Sequence, residues 1–111
     1  MRRSEVWWAN YPPGQRHPVL LLSWDAHGDW RDQVTVAEVT RIRRGIDAEV
    51  GLGPADGMPG PCFANLDALA TINRSRLASF ICQLGPDRMA EVEIAVHHAL
   101  GMDVPCCVGE V

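Results

Sequence analysis

The sequence predicts an α+β domain that is mostly β: a small, strongly curved antiparallel sheet with barrel-like strands, closed by one C-terminal helix. Short β-branched, aromatic or apolar segments, separated by Pro- and Gly-rich turns, fill the first two-thirds of the 111 residues. One strongly periodic helical segment follows them near the C-terminus. No internal repeat interrupts this order.

The first two strands are predicted as a hairpin. Residues 5–9, Glu-Val-Trp-Trp-Ala, are aromatic and β-branched, and residues 11–14, Tyr-Pro-Pro-Gly, turn the chain. Residues 18–23 carry four consecutive apolar side chains, which is typical of a strand buried on both faces. The polar residues 24–32 then form a loop.

The middle of the chain continues the sheet. Residues 33–39 alternate Val with other residues at a period of two, which predicts a half-buried strand, and residues 47–52 predict a short strand with one apolar face. Residues 53–61 contain three Pro and three Gly and are expected to be loop and turn. Residues 62–66 and 68–72 are interpreted as one bent strand or two short ones.

Two helices are predicted after these strands. Residues 75–81 favour a short helix, and residues 86–100 give a stronger signal. Pro86 lies in the first helical turn, and Gly101 follows the last periodic residue as a stop signal. The apolar stripe expected to face the core is Met89, Val92, Val96 and Ala99.

The composition bounds the class of protein. The chain is predicted to form a single domain, 1–111, with 47% hydrophobic and 22% charged residues. Its longest apolar run is too short to span a bilayer and no secretory pattern opens it, so we expect a cytoplasmic protein with no membrane partner. The net charge of −4 argues against nucleic-acid binding by bulk charge. Every base is Arg, however, and residues 1–44 carry seven arginines against five acids, so a local arginine-rich face could still bind phosphate.

Neither a metal nor a cofactor is predicted. The four cysteines show no Cys-x-x-Cys pair and no Cys/His ligand spacing. We expect Cys106 and Cys107 to be free thiols, as suits a reducing cytosol. His97 and His98 lie late in the predicted helix, where a cation is favoured, and are interpreted as surface residues rather than ligands.

The strongest candidate site is the start of the second strand. Arg16 and His17 precede Pro18, which biases His17 towards extended geometry. Ionisable groups at the mouth of a buried strand are held on a rigid base, as functional sites usually are. The alternative is an ordinary Arg at a loop end and a His before a Pro.

Several segments resemble, in order, the motifs of MazF/PemK-type toxins of bacterial toxin–antitoxin systems. Residues 2–8 (RRSEVWW) resemble "RRGEVWW", and residues 17–23 (HPVLLLS) resemble "RPVLVLS". Residues 36–40 (VAEVT) resemble "VAPVT", and residues 51–59 (GLGPADGMP) resemble "GLGPEDGLP". Further segments also follow the family, at residues 65–67, 71–77 and 86–101, so that the match covers nearly the whole chain.

The resemblance implies an SH3-like (CcdB/MazF-type) barrel that forms a homodimer and is neutralised by a cognate MazE-type antitoxin. It also implies metal-independent cleavage of single-stranded RNA by the ribose 2′-OH, which leaves a 2′,3′-cyclic phosphate and a 5′-OH. In the family an Arg before the strand Pro and a Thr closing the next long strand carry the reaction. Here the Thr is Thr40, expected to donate to the phosphate. The residue before Pro18 is His17 and Arg16 precedes it, so either could take the position of the family's Arg, or the two could act as a pair.

The residues expected to bind RNA are Ser23, Trp24, Trp30, Arg41 and Arg43. Either tryptophan could stack on bases or pack on the end of the barrel. The first turn is short, and Ala68 and Ala70 stand where relatives often carry Gln and Arg. Two alternatives therefore stay open: a CcdB-like gyrase inhibitor and a decayed toxin that retains only antitoxin binding.

Overall fold

A computed structural model describes residues 2–23 and 32–102, which include six strands and one α-helix. The elements are β1 (Glu5–Asn10), β2 (Arg16–Leu21), β3 (Gln33–Thr40), β4 (Glu49–Leu52), β5 (Cys62–Asn73), β6 (Leu77–Gln83) and α1 (Pro86–Leu100). The six strands form one antiparallel, curled half-barrel in the order β4-β5-β3-β2-β1-β6. The predicted class, a mostly-β sheet with a C-terminal helix, is confirmed.

The predicted hairpin is confirmed, with β2 shifted towards the N-terminus. Val6 to Asn10 pair with Leu20 to Arg16. The strand begins two residues earlier than predicted and ends at Leu21, so Arg16 and His17 belong to the strand itself.

Strand β5 is one bent strand rather than two short ones. Its pairing with β3 shifts between Ala37–Leu69 and Glu38–Asn65, so three residues of β5 bulge out of the ladder. The Asn65 side chain supports the bulge, because its Oδ1 accepts a hydrogen bond from the Asp67 N–H at 3.0 Å.

The predicted helix at residues 75–81 is wrong. A 3-10 turn at Arg74–Arg76 leads into β6, which pairs with β1. The free edge of β1 offers hydrogen bonds for the whole segment, and this tertiary pairing outweighs a weak local helical preference.

Helix α1 begins and ends at the predicted residues, with Gly101 left-handed at φ 69°. Met89 and Val92 are buried, Val96 and Ala99 are partly buried against the core, and Ala95 joins them. His97 is half-buried and His98 is exposed. Among the described residues, no helix has the length and apolar content needed to cross a membrane.

Apolar side chains of the described residues pack on both faces of the sheet. The first face carries Val6, Leu20, Ala37 and Val39 and packs against α1. The second face carries Ala9, Val19, Leu21, Val34 and Val36. Buried β2 therefore contributes to both cores, as its continuous apolar run predicted.

Candidate active site

Arg16 and His17 point to opposite faces of β2, because successive side chains of a strand alternate. His17 lies opposite Ala9 and two residues before Val19, on the second face. Arg16 lies opposite Asn10, on the face that carries Leu20. The two candidates are neighbours in sequence but not on one surface.

Arg16 is held at the edge of the sheet by β1 and β6. Its guanidinium carbon lies 4.9 Å from the centre of the Trp8 ring, and its Nη2 donates a weak hydrogen bond to Ser79 Oγ at 3.4 Å. The residue is exposed, so its charge remains available to an anion at this edge.

Pro18 determines where β2 and β3 separate. The Leu22 N–H donates to Thr35 O at 2.9 Å, so even-numbered residues of β2 direct their N–H groups towards β3. Pro18 has no N–H to donate. The paired ladder between β2 and β3 ends at Val19–Glu38, so His17 and Thr40 lie outside it, and we refer to this unpaired end of the two strands as the gap.

His17 and Thr40 lie on either side of this gap. Because side chains alternate along each strand, His17, two residues before Val19, and Thr40, two residues after Glu38, both belong to the second face. The His17 Nε2 lies 3.0 Å from Gln15 Oε1, which fixes the ring. The Thr40 Oγ1 accepts a hydrogen bond from the Ile42 N–H at 3.2 Å, so its own O–H is free to donate into the gap.

The aromatic side chain of Phe63 lies next to Thr40, on the neighbouring strand β5. Phe63 lies opposite both Thr40 and Gly51, so the three share a face. A Cβ added at Gly51 would lie 3.8 Å from Phe63 Cε1, so the ring packs over the glycine. The half-buried ring offers a base a stacking surface next to Thr40.

The arginine-rich segment after Thr40 is held by Glu49. Its carboxylate accepts hydrogen bonds from the Arg44 N–H at 2.7 Å and the Gly45 N–H at 3.2 Å. Arg41 and Arg43 are exposed within this segment, at the same end of β3 as Thr40. Their charges can therefore approach a phosphate backbone that crosses the gap.

The structure does not bring every predicted RNA-binding residue to this site. Ser23 lies at the opposite end of β2 from His17, about 20 Å away along an extended strand. Its Oγ accepts a hydrogen bond from the Thr35 N–H at 2.6 Å. Trp24 and Trp30 lie outside the described residues, as do Cys106 and Cys107.

Two residues of this surface were missed by the sequence analysis. Glu38 shares the second face with Thr40, and the period-two alternation of β3 could have indicated it. Phe63 could not have been found without the pairing of β5, because it lies 23 positions after Thr40 along the chain.

The described cysteines and potential metal ligands do not form a second site in the described part of the chain. Cys62 and Cys82 are free, and burial raises the pKa of both thiols, which disfavours a reactive thiolate. Across residues 2–23 and 32–102, no three His, Cys, Asp or Glu side chains group as metal ligands.

The chain is similar to known proteins over most of its length. Residues 2–100 match the family described as PemK-like, MazF-like toxin of type II toxin-antitoxin system. A "Probable endoribonuclease MazF2" of Mycobacterium tuberculosis is 38% identical over 92 residues, which are 82% of this chain and 89% of that protein. A solved mycobacterial "endoribonuclease in complex with its cognate antitoxin" superposes with a TM-score of 0.84 at 27% identity, covering 95% of this chain and 99% of that one. The structure of the toxin MazF-mt6 of M. tuberculosis gives a TM-score of 0.82 at 25% identity, covering 90% and 99%. The chain therefore belongs to the PemK/MazF family of type II toxins.

Proposed function

We propose that this protein is a toxin endoribonuclease that cuts single-stranded RNA at short sequences without a metal ion. The observation that supports the proposal is that His17 and Thr40 share a face of the sheet at the end of the ladder between β2 and β3. The 2′-OH of the RNA attacks the adjacent phosphate, the bond to the 5′-oxygen breaks, and a 2′,3′-cyclic phosphate and a 5′-OH remain.

The three candidate residues have separate roles in this reaction. The Thr40 hydroxyl donates to a phosphate oxygen, and losing one such donor costs about 3 kcal/mol of transition-state stabilisation. The His17 imidazole transfers a proton, since histidine gains and loses a proton near neutral pH. Arg16, on the other face, holds the RNA backbone as it passes the edge of the sheet.

The substrate is single-stranded because only unpaired bases can be splayed out and stacked. Phe63 supports this, since its ring lies beside Thr40 on the open face. Arg41 and Arg43 supply charge for the phosphates that flank the cut. Binding by Ser23, Trp24 and Trp30 would extend the contact to a more distant part of the RNA.

We also propose a homodimer and a cognate MazE-type antitoxin as partners. One related toxin has been solved with its cognate antitoxin, which supports an antitoxin here. An acidic antitoxin segment would occupy the arginine-lined gap in place of RNA. Native mass spectrometry at micromolar concentration should give a dimer, and a monomer would contradict the dimer.

The function is tested by cleavage of a long single-stranded RNA in excess EDTA, with the ends of the products mapped. We expect cuts at limited sequences with cyclic phosphate ends. Thr40→Ala and His17→Ala should each reduce kcat by about 100-fold or more. Arg16→Ala should mainly raise KM, because its charge contacts the backbone away from the reacting atoms.

Thr71→Ala is the matched control, because the Thr71 hydroxyl lies 3.3 Å from Thr35 Oγ1 and takes no part in the gap. It should cut at the parental rate. The absence of cutting by a folded, antitoxin-free dimer would overturn the proposal. Growth arrest that persists in Thr40→Ala would instead indicate a non-catalytic, gyrase-inhibitor type of toxin.

A further inference from the structure

Glu38 is an acidic residue on the face of the sheet that carries the proposed reaction. It lies directly opposite Val19 on β2 and two residues before Thr40 on β3, so its side chain shares the second face with Thr40 and His17. Because His17 precedes Val19 by two residues, Glu38 and His17 are diagonal neighbours across the two strands. Such positions lie about 7–8 Å apart in a regular ladder.

The packing gives no structural reason for a carboxylate at this position. The side chains of β3 that precede it on the second face, Val34 and Val36, are buried in an apolar core. Glu38 is half-buried at the border of that core and forms no hydrogen bond or ion pair with another described residue. By contrast, Glu49 caps the arginine-rich segment and Asp56 binds Arg88.

Glu38 and His17 supply a carboxylate and an imidazole, two groups that serve in general acid–base catalysis. The register places the two titratable groups on one face, on either side of the line where β2 and β3 separate.

We propose that Glu38 is the general base of the RNA cleavage and that His17 is the general acid, an assignment that rests on the proposed function. The Glu38 carboxylate takes the proton of the 2′-OH as the 2′-oxygen forms its bond to phosphorus. The His17 imidazolium gives a proton to the 5′-oxygen as the phosphorus–oxygen bond breaks. Thr40 stabilises the phosphate charge between them, and no further reactant is required.

The charged groups around Glu38 suit this division of roles. From β2 it is faced by His17, which is cationic when it acts as the acid. From β4, Glu49 lies two strands away across Asn65 and already binds two backbone N–H groups. Arg41 and Arg43 follow Thr40 along the chain, beyond the end of β3.

The first test compares Glu38→Gln with the parent protein in cleavage of a fixed single-stranded RNA. We expect kcat to fall by about 100-fold or more, the range for loss of a general base. Binding of the same RNA with 2′-deoxy substitution at the cut should not change, because the amide keeps the shape of the side chain. Glu93→Gln, an exposed helix residue whose carboxylate lies 3.9 Å from Arg3, removes the same charge and should cut normally.

The pH dependence separates a general base from a residue that only positions its neighbours. The parent should give a bell-shaped profile that needs an ionised carboxylate on the acidic side and a protonated imidazole on the basic side. Glu38→Gln should lose the acidic limb and keep the basic one. A profile that keeps both limbs would overturn the assignment.

A substrate with sulfur in place of the bridging 5′-oxygen at the cut identifies the acid independently. A thiolate leaves without a proton, so this RNA should restore much of the activity of His17→Ala and none of that of Glu38→Gln. If this RNA instead restored the activity of Glu38→Gln, Glu38 would be the general acid and His17 the general base. Full activity of Glu38→Gln on ordinary RNA would refute the role of Glu38 as general base but not the ribonuclease function. A parent protein that cuts no RNA would overturn both proposals.

Discussion

Arg16 and His17 are consecutive residues of β2, so their side chains lie on opposite faces of the sheet. The face on which each side chain lies limits the role that it can have in the proposed reaction. His17 shares its face with Thr40, while the Arg16 guanidinium lies 4.9 Å from the ring of Trp8. A one-residue shift in a strand exchanges its faces, so His17 and Arg16 could not exchange roles without a change in strand register. The face that His17 shares with Thr40 therefore supports the proposal that His17 acts at the reacting phosphate.

Gly57 is a second residue whose identity is fixed by its surroundings. It has a φ of +97°, and a Cβ at this position would lie 2.8 Å from the Cβ of Cys82. We predict that Gly57→Ala lowers the free energy of unfolding by about 2–4 kcal/mol, from left-handed strain and core overpacking. Thermal unfolding should then shift down by about 10 °C or more.

Gly60→Ala is the control for this measurement. Gly60 lies in the same loop, its φ is not in the left-handed region, and no atom lies within 4 Å of its added Cβ. Its melting temperature should match the parent. Equal losses in the two variants would show that the loop, rather than the contact with Cys82, determines the effect.

Among the elements, α1 is joined to the loop before β5 by one ion pair. Arg88 donates from Nε to Asp56 Oδ1 at 3.0 Å and from Nη2 to Asp56 Oδ2 at 3.4 Å. The Gly53 N–H also donates to Asp56 Oδ2, at 2.9 Å. Burial raises the pKa of the Asp56 carboxyl, but the hydrogen bonds from Arg88 and Gly53 outweigh it, so the pKa lies below its ordinary value.

This lowered pKa predicts a loss of stability in acid. Because the folded protein holds the carboxylate ionised, the stabilisation is complete above the unfolded pKa of about 3.9 and is lost as the pH falls through the folded value. Asp56→Asn should therefore reduce the free energy of unfolding at pH 7 by about 1–3 kcal/mol, with a difference that shrinks below about pH 4. Denaturant unfolding across this range measures it, with the exposed Asp47→Asn as control. A difference that stays constant down to pH 2 would contradict the linkage.

The proposed site depends on how the two strands β2 and β3 separate near Pro18. We predict that Pro18→Val, which supplies an N–H facing β3, extends the ladder past Val19–Glu38 and narrows the gap. RNA cleavage should fall by about tenfold or more, while the melting temperature stays level or rises because a strand hydrogen bond is worth about 1 kcal/mol.

Hydrogen exchange at position 18 checks the mechanism directly, because the new amide should be protected if it donates to β3. Pro13→Ala, in the exposed first turn, should leave cleavage unchanged. Full activity in a Pro18→Val protein whose new amide is protected would show that the gap is not required.

At the scale of the whole molecule, a net charge of −4 constrains how RNA can bind. In the proposed complex the attraction comes from local arginines, of which Arg16, Arg41, Arg43 and Arg44 lie in the described part of the chain. For a single strand, each neutralised phosphate adds about −0.7 to the slope of log K against log salt, so we predict a slope of about −2 to −3. Binding of a 2′-deoxy-blocked RNA, measured at several salt concentrations between about 50 and 300 mM, gives this slope.

The double variant Arg41→Ala/Arg43→Ala should reduce the steepness of this slope by about 1.4, as two lost phosphate contacts require. Arg2→Ala, at the exposed start of the chain, should leave it unchanged. An unchanged slope in the double variant would show that the RNA binds to another surface of the protein.

The sequence by itself determined the class of fold, the helix and the family. Helix α1 has its start and stop signals, Pro86 and Gly101, within its own segment, so its bounds could be predicted from local chemistry alone. The hairpin of β1 and β2 follows from turn residues in the same way. The order of the motifs was enough to indicate the family.

Only the tertiary structure decided which residues share a surface. Residues 77–83 became a strand because β1 offered a free edge, which no local pattern records. The position of Phe63 beside Thr40, the distance of Ser23 from the gap and the shared face of His17, Glu38 and Thr40 all depend on which strands pair and in what register. Local signals act over a few residues, whereas strand pairing joins residues far apart in sequence, so the site could be predicted as residues but not as a geometry.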